Sequence, residues 1–265
     1  MKKIRYMSIV LFLISVAAFA VFRIYEWSER DVHPPVVSCP EEPLTVSVTD
    51  GEDKLLSGVR AEDDQSGDVS DSLVVESISE FSDAGERTVI YAAIDDAGNV
   101  GRNARKLHYT DYQKPRFILE KPLRFSEGEE VNIAGTVQAE SVLDGDVSMR
   151  IKYSLESEAT KGSSGTWPAE FRVTDSAGQT SELVLPVEIY DASTEVIDVS
   201  LNAYLVYLNV NGSLDLLSYY AGADREGELE IQGNVNTTQP GVYYADYIVR
   251  NGMQQGKSRM IVVVE

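Results

Sequence analysis

The sequence predicts an all-β protein made of three tandem modules that follow an N-terminal transmembrane helix. Beyond the first 35 residues the chain consists of short apolar runs separated by Gly, Asp and Ser, and none keeps the spacing of a long amphipathic helix. Short strands with turn signals between them are typical of an all-β sandwich or barrel. A stretch that begins at Gly85 recurs at Gly165 and Gly241, which indicates internal repeats.

The N-terminal region predicts a membrane anchor. Lys2, Lys3 and Arg5 precede an unbroken apolar run from Met7 to Phe22. Extended to Tyr25, this run is long enough at 1.5 Å per residue to cross a hydrocarbon core of ~30 Å. The basic start is expected to stay in the cytoplasm, so the rest of the chain is exported. We predict a cytoplasmic basic segment at 1–6, a single-pass transmembrane segment at 7–25 and a polar tether at 26–35.

Cleavage of this segment is the alternative. Ala18-Phe19-Ala20 matches the small-residue pattern that signal peptidase cuts. A cut near Ala20 would give a secreted protein instead of an anchored one. In both cases the body of the chain lies outside the cytoplasm.

Composition excludes several classes of function. The chain has 23 basic and 43 acidic residues, a formal net charge of -20. Such a surface repels phosphate backbones, so we predict no nucleic-acid partner. The single cysteine, Cys39, cannot form a disulfide within the chain, and with only His33 and His108 no Cys/His zinc cluster can be assembled.

The repeated stretch reads as a strand followed by a turn. Six residues after each glycine stand Tyr91, Phe171 and Tyr247, and apolar residues recur at every second position around them. This is the period of a strand with one buried face, so these three aromatics are predicted core residues. In the first two copies the strand ends in the acidic turns Asp95–Asn99 and Asp175–Gln179. Asp can hydrogen-bond its own backbone in such a turn, and Gly accepts a positive φ.

A second repeated element fixes the domain organisation. The acidic loop Ala61–Ser70 matches Ala139–Ser148, and a degenerate third copy begins at Ala221. The copies of both elements are spaced by about eighty residues, so each repeat is one module. The predicted modules are 36–111, 112–190 and 191–265.

These motifs resemble the Ig-like repeats of bacterial surface proteins. The shared features are the Gly-x-Tyr-x-Val-x-Tyr-x-Val-x-Asp-x-Ala-Gly-Asn strand and turn, and the Asp-Gly-Asp-Val-Ser loop before it. The opening Pro34–Pro40 is also similar to that of hyalin-repeat modules. The resemblance implies a seven-strand antiparallel Ig-like sandwich for each module, with Tyr91, Phe171 and Tyr247 as core or tyrosine-corner residues. Modules of this kind serve as spacers, adhesins and accessory domains.

Calcium is the one ligand that the acidic loops suggest. In an Ig-like sandwich the loop with Asp144 and Asp146 lies at the same end as the turn with Asp175, and the entering chain brings Asp111 there. With Glu140 these residues would offer the oxygen donors that calcium prefers. The alternative is that the acids and glycines only form turns. No other cofactor is predicted.

The third module is rich in tyrosine. Tyr243 and Tyr244 are neighbours on one predicted strand, so one of them should face outward. Exposed tyrosine favours protein or glycan recognition, which makes Tyr219, Tyr220 and Tyr244 candidate binding residues. Simple strand propensity is the alternative explanation for the tyrosines.

No catalytic motif is evident, since the sequence has no nucleophile elbow, zinc-protease helix or phosphate loop. We therefore predict a non-enzymatic bacterial cell-surface protein whose tandem Ig-like ectodomain serves in binding, adhesion or spacing, with a protein or glycan partner. The alternative is an accessory or sensory ectodomain of an envelope transport or polymer-export machine, acting through protein contacts.

Overall fold

The computed structural model describes residues 2–28, 31–82, 85–155, 164–193 and 195–265. An N-terminal helix is followed by three β-sandwich modules with Ig-like strand order, so the predicted all-β fold class is confirmed. The chain divides into two compact units. One holds the helix and module 1, up to Thr110, and the other holds modules 2 and 3, from Asp111 to Glu265.

The N-terminal helix, α1, spans Lys2–Ser28. Its stretch Tyr6–Tyr25 is 20 residues long, contains an 18-residue window with a mean hydropathy of 2.4, and is not buried against the rest of the protein. At 1.5 Å per residue it covers ~30 Å, so it is long and apolar enough to cross a membrane. A signal sequence near the N-terminus passes the same test. The helix extends to Ser28, so the start of the predicted tether is helical. In the predicted basic segment 1–6, the side chains of residues 1–5 lie outside the described residues.

Module 1 consists of two sheets. One has the strand order β1-β3-β4 and the other β2-β7-β6-β5. A short helix, α2, spans Glu52–Leu55, and a 3-10 turn spans Ser70–Ser72. The strands are β1 Val36–Ser38, β2 Leu44–Val46, β3 Arg60–Asp63, β4 Gly67–Asp68, β5 Val74–Ile78, β6 Arg87–Ile94 and β7 Val100–Tyr109.

Module 2 repeats this arrangement strand for strand. Its sheets have the orders β8-β10-β11 and β12-β13-β14-β9, and a 3-10 turn spans Ser148–Arg150. The strands are β8 Arg116–Leu119, β9 Arg124–Ser126, β10 Val137–Ser141, β11 Gly145–Asp146, β12 Lys152–Leu155, β13 Gly165–Thr174 and β14 Thr180–Tyr190.

Module 3 keeps the larger sheet, in the order β16-β20-β19-β18, but its smaller sheet has only β15 and β17 among the described residues. A 3-10 turn spans Leu216–Tyr219. The strands are β15 Val199–Leu201, β16 Leu205–Leu208, β17 Tyr220–Ala223, β18 Glu228–Gly233, β19 Gly241–Asn251 and β20 Gln254–Val264.

Next to the short strand that module 3 lacks, modules 1 and 2 share a serine hydrogen bond. In module 1 the Ser70 hydroxyl oxygen accepts from the N–H of Ala61 at 3.0 Å, and in module 2 Ser148 does the same for Ala139. This bond holds the acidic loop against the strand before it. Glu230 stands at the aligned position of module 3. The described part of module 3 has six strands, whereas the resemblance implied seven.

The sandwiches are not wholly antiparallel, which corrects the prediction in one detail. In each module the first strand segment is followed by a second one that runs parallel to the last strand, in the pairs β2–β7, β9–β14 and β16–β20. In every module the first segment pairs antiparallel in the smaller sheet, and the second joins the larger one. The entering chain thereby covers the edge of the last strand, which would otherwise present unpaired backbone groups.

The repeated aromatics lie at the centres of the three cores. Tyr91, Phe171 and Tyr247 are 0%, 2% and 0% exposed. The hydroxyl of Tyr91 donates to the backbone carbonyl of Leu55 at 2.9 Å, and that of Tyr247 to the carbonyl of Leu216 at 2.6 Å. Burial raises the pKa of Tyr247 to about 12. A buried hydroxyl with a carbonyl partner fixes the strand against the crossing segment and leaves no polar group unsatisfied.

Candidate functional site

The last strand, β20, is buried on both faces and joins modules 2 and 3. Met260, Val262 and Val264 belong to the core of module 3. Ile261, between them, is 2% exposed and lies in the core of module 2, with Val263 packed against that core. Side chains alternate between the faces of a strand, so one strand serves two modules. We call this contact between modules 2 and 3, together with the charged network beside it, the joint.

The charged network of the joint contains equal numbers of cations and carboxylates. All of its side chains are only 6–20% exposed. The cations are Arg124, Lys257 and Arg259, and the carboxylates are Glu188, Glu195 and Asp246.

Glu188 is the centre of the network. It accepts from the Arg124 Nε of its own module at 3.1 Å and from the Lys257 Nζ of module 3 at 2.6 Å. The Arg124 Nη2 also reaches across, to Glu195 Oε2 at 2.8 Å, and its Nη1 donates to the backbone carbonyl of Lys257. Three of these four contacts cross from one module to the other, so the network fixes the modules relative to each other.

The pKa of Glu188 shows how the network balances burial. Burial alone raises the pKa of Glu188, but the charges and hydrogen bonds of Arg124 and Lys257 outweigh it, and the pKa is lowered. Arg259 holds Asp246 through two hydrogen bonds of 2.6 and 2.8 Å. A buried charge is costly unless it is paired and hydrogen-bonded, and here each partner is supplied by the chain.

Only one of the three candidate binding tyrosines is exposed. Tyr244 is 39% exposed, with the Arg259 guanidinium 4.2 Å from the centre of its ring. Tyr243, its neighbour, is half-buried against the core of module 3, so the two residues face opposite ways as expected. Tyr219 and Tyr220 are also half-buried against this core. A binding role for Tyr219, Tyr220 and Tyr244 stays a prediction.

A shallow apolar groove lies beside Tyr244. Its volume is about 310 Å³. Two of its walls are the exposed valines Val184 of module 2 and Val242 of module 3, which are 49% and 43% exposed. Both modules line it, through Thr166, Pro168, Val184, Pro186, Val242, Tyr243 and Tyr244.

Asp175, a predicted calcium ligand, is 5% exposed and hydrogen-bonded at both carboxylate oxygens. Oδ1 accepts from the backbone N–H groups of Ala177 and Gln179, both at 2.9 Å. Oδ2 accepts from the hydroxyl of Tyr112 at 2.6 Å. The protein itself thus supplies donors to the whole carboxylate.

Asp144, another predicted ligand, is also engaged by the protein. Its Oδ2 accepts from the N–H of Ser176 and from Arg150 Nη1, both at 2.7 Å. Burial alone raises the pKa of Asp144, but these partners outweigh it, and the pKa is lowered. The neighbouring acid Asp146 accepts from the Ser148 hydroxyl at 2.6 Å, which lowers the pKa of Asp146.

The remaining predicted ligands, Asp111 and Glu140, are exposed, and Glu140 is paired with Asp146 across strands β10 and β11. Within the described part of the chain, no three of the five predicted ligands bring an oxygen atom within 4.8 Å of one another. Calcium binding by this set stays a prediction.

The structure does bring three carboxylates together in module 1, where the sequence reasoning placed no site. One oxygen each of Asp31, Asp63 and Asp95 lie within 4.8 Å of one another. Asp31 and Asp95 hold the positions of Asp111 and Asp175, one repeat earlier. The repeat alignment could have revealed this cluster, but Asp31 was assigned to the tether. No comparable signal existed for the joint, because its charged residues are scattered from Arg124 to Arg259.

Sequence comparisons with known proteins identify no family for this chain. No protein-family model matches the chain, and no curated protein matches it in sequence. The resemblance to bacterial Ig-like and hyalin repeats therefore has no family match behind it.

Among solved structures, one match is to repeats EC21-23 of human CDH23, at 12% sequence identity and a TM-score of 0.22. The match covers 87% of this chain and 100% of that structure. The extracellular domain of protocadherin GammaB4 is 11% identical over 88% of this chain, with a TM-score of 0.21. The M60 catalytic domain of Clostridium perfringens ZmpB with its CBM51 domains is also 11% identical over 88% of this chain, with a TM-score of 0.21. The chain spans 50% and 31% of these last two. Scores of this size carry no argument about function.

Proposed function

We propose that this protein is a non-enzymatic, membrane-anchored ectodomain of a bacterial cell surface, in which Ig-like modules hold a binding surface away from the membrane. The observation that carries the proposal is the joint. Ile261 of module 3 lies in the core of module 2, and a balanced set of buried ion pairs closes the same contact. Modules that only needed to be tethered could be linked by a short exposed segment with few contacts.

A fixed joint suits display because it keeps module 3 in one orientation relative to module 2. The apolar helix supplies the anchor, and the acidic composition supplies a repulsive, soluble exterior. Adhesion or glycan binding would use the surface around Tyr244, the exposed tyrosine of module 3.

The proposal is tested on the full chain, expressed in the envelope of a host cell. Protease added to intact cells should remove the modules and leave the N-terminal helix in the membrane fraction. The same cells should attach to an immobilised protein or glycan surface, and Tyr244→Ala should weaken attachment while Met253→Ala, at a fully exposed turn, leaves it unchanged. Modules that stay protected from protease on intact cells contradict the proposal.

A second role, as an accessory ectodomain of an envelope machine, is favoured by the apolar groove beside Tyr244. Exposed apolar surface shared by two fixed modules is a feature of protein contact sites. A photo-crosslinking residue at Val242, inside the groove, should capture one membrane partner in the native envelope. The same probe at Met253, outside the groove, is the control. Equal capture at both positions contradicts this role.

A further inference from the structure

The segment that enters module 1 and two of its loops form a three-carboxylate cluster. Asp31 lies five residues before β1, Asp63 ends β3, and Asp95 follows β6 directly. One oxygen of each lies within 4.8 Å of the other two. Three chain segments that are distant in sequence therefore converge on one point at this end of the module.

The cluster is shielded from water. Asp31 is 9% exposed and Asp95 is 6% exposed, while Asp63 is half-buried. Oδ2 of Asp31 and Oδ2 of Asp63 are both buried, and neither has a hydrogen-bond partner among the described residues. Buried polar oxygens almost always have a partner, and a buried anion without one is costly.

The other oxygens of these carboxylates are held by the backbone. Oδ1 of Asp31 accepts from the N–H of His33 at 2.9 Å, and Oδ1 of Asp63 accepts from the N–H groups of Gln65 and Ser66 at 3.0 and 2.7 Å. Asp31 and Asp63 are thus each oriented by one oxygen and keep the other unused. This division between an anchored and an available oxygen preorganises a ligand set.

Asn99 fastens the entering segment to the turn that carries Asp95. Its side-chain amide donates to Asp95 Oδ2 at 2.9 Å and to the backbone carbonyls of Asp31 and His33 at 3.4 and 3.2 Å. Its backbone N–H donates to Asp95 Oδ1 at 2.8 Å. Asp31 is therefore part of module 1 and not of a loose tether.

The chain supplies no cation to this cluster within the described residues. Beside the cluster, His33 Nδ1 lies 3.5 Å from Asp64 Oδ2, and both side chains are exposed. His33 and Asp64 form a second group with Asp31, but the buried, unpartnered oxygens belong to the all-carboxylate group. An oxygen-only donor set selects a hard divalent cation over zinc or copper.

We propose that Asp31, Asp63 and Asp95 form a calcium-binding site that ties the segment after the membrane helix to module 1. Calcium accepts carboxylate oxygens in a flexible shell and fills its remaining positions with water or backbone carbonyls, whereas magnesium demands near-octahedral geometry. This site lies in module 1 and uses none of the five calcium ligands predicted in module 2. The proposal does not depend on the role of the joint.

The test is calorimetric titration of the full chain in detergent, stripped with a chelator and titrated with calcium chloride at constant ionic strength. We expect saturable binding with a Kd of about 10⁻⁴–10⁻³ M, the range of extracellular calcium modules. Calcium at ten times this Kd should raise the melting temperature of module 1 by about 5–10 °C. Magnesium at the same concentration should give a much smaller rise.

Variants separate this site from general acidity. Asp31→Asn and Asp63→Asn should each weaken calcium binding about tenfold or more, because each removes a charged ligand. In the chelator-treated protein both variants should melt no lower than the wild type, because each removes a charge from an unpaired cluster. Asp96→Asn, in the same turn but exposed, is the matched control and should bind calcium like the wild type. His33→Ala should also leave the affinity unchanged.

Three results would overturn the proposal. They are the absence of saturable calcium binding by the wild type, an equal response to magnesium, and wild-type affinity in Asp63→Asn. If Asp31→Asn does not fold, Asp63→Asn alone decides, since the Oδ1 bonds of Asp63 can be kept by the asparagine carbonyl.

Discussion

Among the described residues, two clusters of three acidic side chains are largely shielded from solvent, and they differ in the counter-charge that the chain supplies. At the joint, Glu188, Glu195 and Asp246 are met by three cations from the chain itself. In module 1, Asp31, Asp63 and Asp95 converge without an ion pair to a lysine or arginine among the described residues, although His33 lies beside Asp31. Since buried charge is costly unless it is paired, the first cluster is complete as folded, and the second is the one for which we propose a cation from solution.

The equivalent end of module 2 shows a third arrangement. Tyr112 and Ser141 stand where module 1 has Val32 and Asp63. The Tyr112 hydroxyl donates to Asp175, and the Ser141 hydroxyl oxygen accepts from the N–H groups of Leu143 and Asp144. Where module 1 brings three carboxylates together, module 2 therefore has two hydroxyl groups that form hydrogen bonds within the module.

The largest effect is expected at the joint. Arg124→Ala removes the shared partner of Glu188 and Glu195 and leaves both carboxylates buried with fewer partners. The free energy of unfolding of the unit from Asp111 to Glu265 should fall by about 3–5 kcal/mol, measured by urea denaturation. Arg172→Ala is the matched control, since its pair with Glu182 is exposed and should change the value by less than about 1 kcal/mol. Similar losses in the two variants would contradict the role of the joint.

The pH dependence of the free energy of unfolding should distinguish the shielded charges of the joint from exposed charges. The folded-state pKa of Glu188 is lowered from its ordinary value of 4.5, so the stability it contributes is present above that value. This contribution is lost as the pH falls through the lowered folded-state pKa. The free energy of unfolding should therefore drop as the pH is lowered below about 4.5. Glu188→Gln should be less stable at pH 7 but show a smaller drop, and an identical drop in both proteins would contradict the assignment.

A smaller effect is expected at the end of module 2. Tyr112→Phe leaves Oδ2 of the buried Asp175 without its 2.6 Å hydrogen bond. The free energy of unfolding of the same unit should fall by about 1–3 kcal/mol, the usual cost of an unsatisfied buried acceptor. Tyr153→Phe, at a 48% exposed tyrosine of the same module, is the control and should be close to neutral. Loss of equal size in both variants would show that the hydroxyl of Tyr112 has no special role.

The strands could be predicted from the sequence because period-two alternation is a local property of the chain. The sequence predicted the all-β sandwich fold, the acidic turns with Gly98 and Gly178 at positive φ, and the opposite orientations of Tyr243 and Tyr244. The parallel pairing of β2, β9 and β16 was not predicted, because it depends on a crossing between sheets that leaves no local pattern. The apolar run in β20 has no local feature that specifies that module 3 covers one face of the strand and module 2 the other.

The two candidate sites differ in how far they could be predicted. Asp31 and Asp95 could have been found by extending the repeat backwards into the supposed tether, since both have counterparts in module 2. The third member of the cluster could not be predicted in this way. It is Asp63, and not a residue aligned with Asp144 or Asp146, because of the exact path of the loop after β3. The pairing at the joint follows from tertiary packing alone.

The most direct measurement is hydrogen exchange, followed by mass spectrometry, on the full chain with and without calcium. Peptides that contain Asp31 and the Asp95–Asn99 turn should exchange more slowly in calcium, because the ion closes the cluster. Peptides from β20 at the joint should exchange at the same rate in both conditions, because their charges are already paired within the protein. Unchanged exchange at the Asp95–Asn99 turn, or equal slowing at the joint, would contradict the distinction between the two clusters.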